Sequence, residues 1–317
     1  MRSKIEKIAS VILTIVIIVC VLGRLSYLFR PADTDQCIMQ IEAFHSLPDN
    51  SVEVMIYGSS HAWRGVENLT MYEDYGIGAY NYAANWQNLS TEELFFYDSL
   101  RTQKPKVVMI ETYLINNTFN DVDLCGEIYY TRAIKNFDKK QEYLSKAFAG
   151  DWDKYFTYYF PLSMFHSYWN QVNVANYTEY YSTEELVGTM GYYYAPFDEL
   201  AHTTVEIGDP DSFTQLELSD EAKEKLDGIV KTCRENDIEV VFFTVPWEGE
   251  NLFQDAMAEY AKANGCTYLN LFKCMDEIGL DTMTDFADDN HVTTEGARKI
   301  ASYLGKYLDE NYNLTDM

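Results

Sequence analysis

The chain has 317 residues, 47% apolar and 23% charged. That is enough for one large globular core or two small ones, and it is unlike a collagen, a coiled coil or a disordered polymer. Twenty-four basic residues against 50 acidic ones give a net charge of −26, a surface that repels a phosphate backbone and argues against a nucleic-acid partner.

The charge is unevenly placed. Residues 1–30 hold Arg2, Lys4, Lys7, Arg24 and Arg30 against Glu6, which leaves the remainder of the chain strongly acidic. From Ile8 to Phe29 the run is apolar or small apart from Arg24, about 33 Å of helix against a hydrocarbon core of about 30 Å. Arg24, near the far end, can snorkel to the interface. This predicts a transmembrane anchor over residues 1–30, N-terminus cytoplasmic and the remainder outside. A cleaved signal peptide is the other reading, but Gly23-Arg24-Leu25-Ser26 is a poor cleavage site, and Ile18-Val19 before Cys20 does not suit lipid attachment. Cys37, Cys125, Cys233, Cys266 and Cys274 form no CxxC pair, so neither a zinc knuckle nor a disulfide framework is expected. A single Cys266–Cys274 bridge and free thiols both remain open.

After a connector over residues 31–50, Val52 to Tyr57 reads as a buried strand that ends in Gly58-Ser59-Ser60. A second short strand, Ala79 to Ala83, precedes Asn85-Trp86-Gln87, and Ser90-Thr91-Glu92-Glu93 reads as the start of a helix running to Arg101. Lys106 to Glu111 is a third strand. Farther on, a helix from Ser219 to Asn236 leads to a strand over Glu239 to Thr244, and a helix over 251–264, closed by Gly265, leads to a strand from Thr267 to Leu271. A last helix spans Thr294 to Asp309. This alternation predicts an α/β domain over residues 51–317, a three-layer mostly parallel sheet with helices on both faces, whose functional groups gather at the carboxyl ends of the strands.

Residues from about 112 to 215 interrupt the pattern and hold 14 of the 26 tyrosines, in clusters such as Tyr129-Tyr130, Tyr158-Tyr159, Tyr180-Tyr181 and Tyr192-Tyr193-Tyr194. The segment reads as an insertion. Either it is an aromatic packing module over one end of the sheet, or its rings line a cleft for a carbohydrate or lipid headgroup.

Two short motifs carry candidate chemistry. Ser60 sits on a strand-to-helix turn, where a hydroxyl is held exposed and backbone N–H groups can stabilise an oxyanion; the plain alternative is a Gly-Ser turn with capping hydroxyls. Asp288 and His291 lie three residues apart before the last helix, a spacing that lets the carboxylate orient the imidazole while its other nitrogen faces a hydroxyl. Each motif is weak alone, but both fall at carboxyl strand ends.

Together these residues resemble the SGNH (GDSL-type) hydrolase superfamily, in which the nucleophilic Ser follows the first strand and Asp-x-x-His precedes the last helix. Ser59 before Ser60, and the N-terminal anchor, look closest to the branch containing the D-alanine transfer protein of teichoic acid systems and cell-surface polysaccharide O-acetyltransferases. Softer matches are Tyr80-Asn81-Tyr82-Ala83-Ala84, Lys104-Pro105-Lys106-Val107-Val108 and Asp285-Phe286. The resemblance implies a SGNH/flavodoxin-like fold with Ser60 as nucleophile, His291 as base and Asp288 as its orienter. It also implies oxyanion donors at the Ser60 and Ala84 backbone N–H groups. For the side-chain donor Asn85 is the first choice, ahead of Gln87, Asn116 and Asn117, because the usual Gly and Gly-x-Asn-Asp blocks are missing. Ser59 is the rival nucleophile and His61 the rival base; register with the family favours Ser60. His61, Gln87 and His166, the last within Phe165-His166-Ser167-Tyr168-Trp169, are candidate substrate contacts, whereas His45 and His202 carry no motif.

The expected activity is that of a membrane-anchored extracytoplasmic serine acyltransferase or esterase acting on acyl groups, foremost O-acetyl, of a surface glycan or teichoic-acid-like acceptor, without a metal or cofactor. The resemblance adds a membrane-bound O-acyltransferase partner that delivers the acyl group. A polysaccharide deacetylase and an inactive glycan-binding protein of the same fold are the alternatives.

Overall fold

The computed structural model describes residues 2–28, 35–119, 130–166, 183–194 and 203–314. Cys125, Tyr129, Tyr168, Trp169, Tyr180, Tyr181 and His202 lie outside them. In chain order the elements are α1 (Arg2–Leu28), α2 (Asp35–Phe44), β1 (Val54–Tyr57), α3 (Ser60–Gly65), α4 (Leu69–Tyr75), β2 (Ala79–Asn81), α5 (Leu89–Ser99) and β3 (Val107–Glu111). There follow α6 (Phe137–Phe148), α7 (Trp152–Tyr159), α8 (Leu162–Phe165), α9 (Thr183–Gly188), α10 (Asp220–Glu235), β4 (Glu239–Thr244), α11 (Gln254–Ala263), β5 (Thr267–Asn270), α12 (Met275–Ile278) and α13 (Thr294–Asn311).

The five strands pair in the order β2-β1-β3-β4-β5, all parallel. The near-continuous apolar strands expected of a sheet covered on both faces divide by period 2. Met55, Tyr57, Val108, Ile110, Val240 and Phe242 point into a core shared with α2, α5, α6, α10 and α11. Val54, Ile56, Val107, Met109, Val241 and Phe243 point into the other, shared with α3, α4 and α13. The register Ile56↔Met109↔Val241 keeps like faces aligned across the sheet, and a one-residue slip would exchange the two faces.

Helix boundaries follow local chemistry. Ser219 caps α10 through the Ala222 N–H, and Thr293 caps α13 through the Gly296 N–H. Helix α5 begins earlier than expected, because Asn88 and Thr91 form a reciprocal capping box. Gly265 takes the left-handed conformation expected of it, with φ of 67°.

The supposed connector is a correction. Helix α2 occupies half of it and packs on α9, and Ile41 and Phe44 are fully buried. With Cys37 they recur at i, i+4 and i+7, so one apolar stripe meets the domain. Phe44 stacks on Tyr82 with ring centroids 4.3 Å apart.

The insertion has packing functions among its described residues. Tyr143, Leu144, Phe148 and Tyr158 join the core beside α5, and Tyr193 stacks on Trp63 of α3 at 4.5 Å. At the edge strand β2, Met190 O accepts from the Asn81 N–H at 2.9 Å, the Gln40 amide donates to Asn81 O, and the Asn68 amide donates to Ala79 O at 2.7 Å.

The apolar segment of α1 runs from Lys4 to Ser26, 23 residues, long and apolar enough to cross a membrane. Cys266 and Cys274 are free thiols, so the bridge between them does not form, and Cys20, Cys37 and Cys233 are free as well.

Phe44→Ala should cost about 3–5 kcal/mol, the usual range for emptying a buried aromatic site, read from urea unfolding. A loss below about 1 kcal/mol would return residues 35–44 to the status of a linker.

Candidate active site

All five strands point the same way, so the loops after their carboxyl ends share one edge of the sheet. The loop after β1 is the sharpest. Gly58 has φ of +152°, and a Cβ there would lie 2.5 Å from Glu111 Cβ on the neighbouring strand, so the turn is confined to glycine.

From this turn the two serines diverge. Ser59, 1% exposed, is the N-cap of α3; its hydroxyl accepts from the His61 N–H at 3.2 Å and donates to Glu111 Oε2 at 2.9 Å. Ser60 begins α3 and remains partly exposed. Its Oγ lies 2.8 Å from His291 Nε2, so it is Ser60, and not Ser59, that meets the distant histidine.

His291 stands on a tight loop closed by the Phe286–Val292 bridge and an Ala287 N–H to His291 O bond of 2.9 Å. Within it Asp288 Oδ1 accepts from the backbone N–H groups of Asn290 (2.8 Å) and His291 (2.9 Å) and lies 2.8 Å from His291 Nδ1. An ionised carboxylate only accepts, so Nδ1 carries the proton and Nε2 is free to accept from Ser60. Arg64, four residues beyond Ser60 on α3, brings its guanidinium 3.4 Å from Asp288 Oδ2. Partial burial raises the Asp288 carboxyl, but the bonds from His291 and the Asn290 N–H, with the charges of His291 and Arg64, outweigh it and hold the group well below the usual carboxylate range.

The loop is fastened from both sides. Asp289 O accepts from the Glu248 N–H at 2.7 Å, beyond β4, and buried Asp285 pairs with Lys299 of α13 at 2.6 Å. Gly296 lets α13 approach, since a Cβ there would lie 2.6 Å from Asp285 O.

His61 forms a wall of the site. It packs at a tilt on Tyr113 with centroids 3.8 Å apart and lies 5.4 Å from both Trp247 and His291. Burial, then the charge of His291, push its imidazole well below the usual range; Asp288 opposes this and Arg64 adds to it. The ring is 2% exposed and contacts Ser59 rather than Ser60.

The expected oxyanion donors divide. No hydrogen bond engages the Ser60 N–H among the described residues. The Ala84 N–H, however, donates to Gly58 O at 3.1 Å and is consumed in bracing the turn, which corrects its expected role. Asn85 is exposed and its carbonyl accepts from Tyr130; no contact joins its side chain to Ser60. Asn116 Oδ1 accepts from the Ser219 N–H, before α10, and Asn117 O accepts from the Leu89 N–H. Gln87 does reach the turn: its Oε1 accepts from the Gly58 N–H at 3.2 Å while its buried Nε2 has no partner. His166 is not brought to the site; it is exposed at the end of α8, its ring bonded to Ser163 O.

Sequence reasoning gave no role to Glu111, the carboxylate ending the apolar run of β3. Burial raises its pKa; bonds from Ser59 and the N–H groups of Tyr113, Ser59 and Thr112 moderate this, leaving it at about 7. Glu92, buried with both oxygens unpartnered, is pushed well above the carboxylate range by burial and then by Glu111.

No family model matches the chain, and no curated protein matches it. Among solved structures it is similar to a protein described as an acylhydrolase from Bacteroides fragilis NCTC 9343, at 11% identity over 85% of this chain and 93% of that one, with a TM-score of 0.40. It is also similar to a GDSL-like lipase from Bacteroides thetaiotaomicron VPI-5482, at 12% identity over 84% and 94%, with a TM-score of 0.38.

With a folded pKa of about 7 against an ordinary 4.5, Glu111 holds an extra proton in the native state between those values. Its stabilising contribution is complete below about pH 4.5 and lost as pH rises through 7. Between pH 4.5 and 8 the wild type should therefore lose about 3 kcal/mol more stability than Glu111→Gln, measured by urea unfolding across pH. Parallel profiles would mean that Glu111 is ionised throughout.

Proposed function

We propose that this chain is a membrane-anchored serine esterase or acyltransferase of the SGNH type, acting on acyl groups of an extracytoplasmic glycan. The observation that carries the reading is the unbroken chain Ser60 Oγ to His291 Nε2 (2.8 Å) and His291 Nδ1 to Asp288 (2.8 Å).

In that reading Ser60 attacks the acyl carbonyl as its proton passes to His291 Nε2, and Asp288 stabilises the imidazolium without taking the proton. The oxyanion develops beside the Ser60 N–H. His291 then returns the proton to the departing alkoxide, leaving an acyl group on Ser60. A second hydroxyl, deprotonated by His291, attacks the acyl carbonyl and regenerates Ser60. Water gives an esterase; a sugar hydroxyl gives a transferase, which needs the acceptor held in place and water kept out.

The partly exposed ring of Tyr113, against His61 at 3.8 Å and with Trp247 edge-on at 4.8 Å, supports an aromatic contact for a sugar ring at this end of the sheet. The apolar α1 supports placing the domain outside the membrane, within reach of a surface glycan and of a membrane-bound acyl donor. Acetyl is the favoured group, in keeping with the resemblance of the Ser59-Ser60 turn and the apolar N-terminal helix to polysaccharide O-acetyltransferases.

The detergent-solubilised chain, treated with a fluorophosphonate and mapped by peptide mass spectrometry, should carry the adduct on Ser60 alone. Ser60→Ala should abolish it, and His291→Ala should slow it by at least about a hundredfold. An adduct on Ser59, or none on a folded chain, would overturn the proposed nucleophile. With an acetylated glycan, free acetate as product identifies an esterase, and acetyl gained by an acceptor sugar identifies a transferase.

A further inference from the structure

Helix α7 carries two adjoining aromatic rows, one buried in the domain and one left largely exposed. Tyr155 and Tyr158 lie against Phe148, with centroids 5.1 and 5.7 Å away. On the adjoining side Trp152, Phe156 and Tyr159 are 83%, 60% and 49% exposed, spaced i, i+4 and i+7 so that they form a single stripe; the edges of Trp152 and Tyr159 meet Tyr155 and Tyr158, and the Tyr159 hydroxyl donates to Gln141 Oε1 at 3.1 Å. An aromatic stripe of this kind is costly to leave in water.

Its position indicates what covers it. The Phe156 ring rests on Phe160 at 5.3 Å, and α8 begins two residues later and packs on the C-terminal end of α1. There the Leu162 N–H donates to Ser26 Oγ at 3.1 Å, and Ser26 is the residue at which the apolar span ends. Leu162 therefore sits level with the edge of the hydrocarbon. Eight residues of helix are about 12 Å long, and the headgroup layer on one side of a bilayer is about 5–8 Å deep. Trp and Tyr concentrate in that layer because a ring with one polar edge suits it.

We propose that α7 is an interfacial helix, seating Trp152, Phe156 and Tyr159 in the lipid headgroup layer beside the anchor. The domain is then held against the bilayer by two contacts instead of swinging from one. This rests on the reading of α1 as a membrane span. The occupant is the lipid interface as such, not an anionic headgroup, because the acidic chain gives no coulombic attraction to anionic lipid and Asp151 and Asp153 flank Trp152.

The test uses the full chain in phosphatidylcholine vesicles, with bromine placed either near the headgroups or deep in the acyl chains. Shallow bromine should quench tryptophan emission more than deep bromine does, and Trp152→Phe should lower the shallow quenching at least twofold. Equal quenching of wild type and variant, in a chain that stays with the vesicles through alkaline carbonate, would overturn the interfacial helix and leave the anchor standing. A chain stripped from the vesicles by carbonate would overturn the anchor, and the interfacial helix with it. Far-UV circular dichroism checks that Trp152→Phe folds.

Discussion

The site depends on the close approach of Gly58 to Glu111 at the carboxyl edge of the sheet. With no room for a side chain between β1 and β3, the backbone turns sharply enough to send two consecutive hydroxyls in opposite directions. Ser59 goes inward, where it caps α3 and bonds to Glu111; Ser60 goes outward to His291. The carbonyl and amide of Gly58 are in turn held by Ala84 and Gln87. Pieces from β1, β2 and β3 thus fix one hydroxyl position, which a nucleophile requires if its partner comes from a loop 231 positions away.

The acids of the site are separated by environment in the manner expected where one fold must hold both charged and neutral carboxyl groups. Asp288, reached by two backbone N–H groups, an imidazole and a guanidinium, is stabilised as the anion. Glu111 and Glu92, under the turn, are pushed toward the neutral acid by burial. Arg64 joins the two halves, since it shares α3 with Ser60 and contacts Asp288 across the site.

Much of the fold was legible from local pattern. The strands were marked by apolar runs such as Val107 to Ile110, and helices were legible over Ser219 to Asn236 and from Thr294 onward. Two local motifs were visible, the Gly58-Ser59-Ser60 turn and the Asp288–His291 spacing, each because it lies within a few consecutive residues; that they meet is shown only by the fold. What could not be read depends on the path of the backbone in space. Ala84 carries an amide that any strand end would have, and only the turn of Gly58 shows where it points. Asn116 and Asn117 likewise disclose their partners only once folded. Arg64 had a weak local signal, its i+4 spacing from Ser60, and α2 had one in Cys37, Ile41 and Phe44. Both lay in stretches too short for periodicity to stand out.

The dressing of β2 has a consequence for colloidal behaviour. A parallel sheet has two outer strands whose backbone groups can recruit a strand from another molecule. At β2 those groups are taken by Gln40, Asn68 and Met190, the first from α2 and the last from the tyrosine-rich insertion. These segments therefore act as a hem that keeps one copy of the domain from zipping to the next. A trimmed version lacking either of them would bare a ready strand edge, and its failure in an assay would report self-association as readily as a missing binding surface.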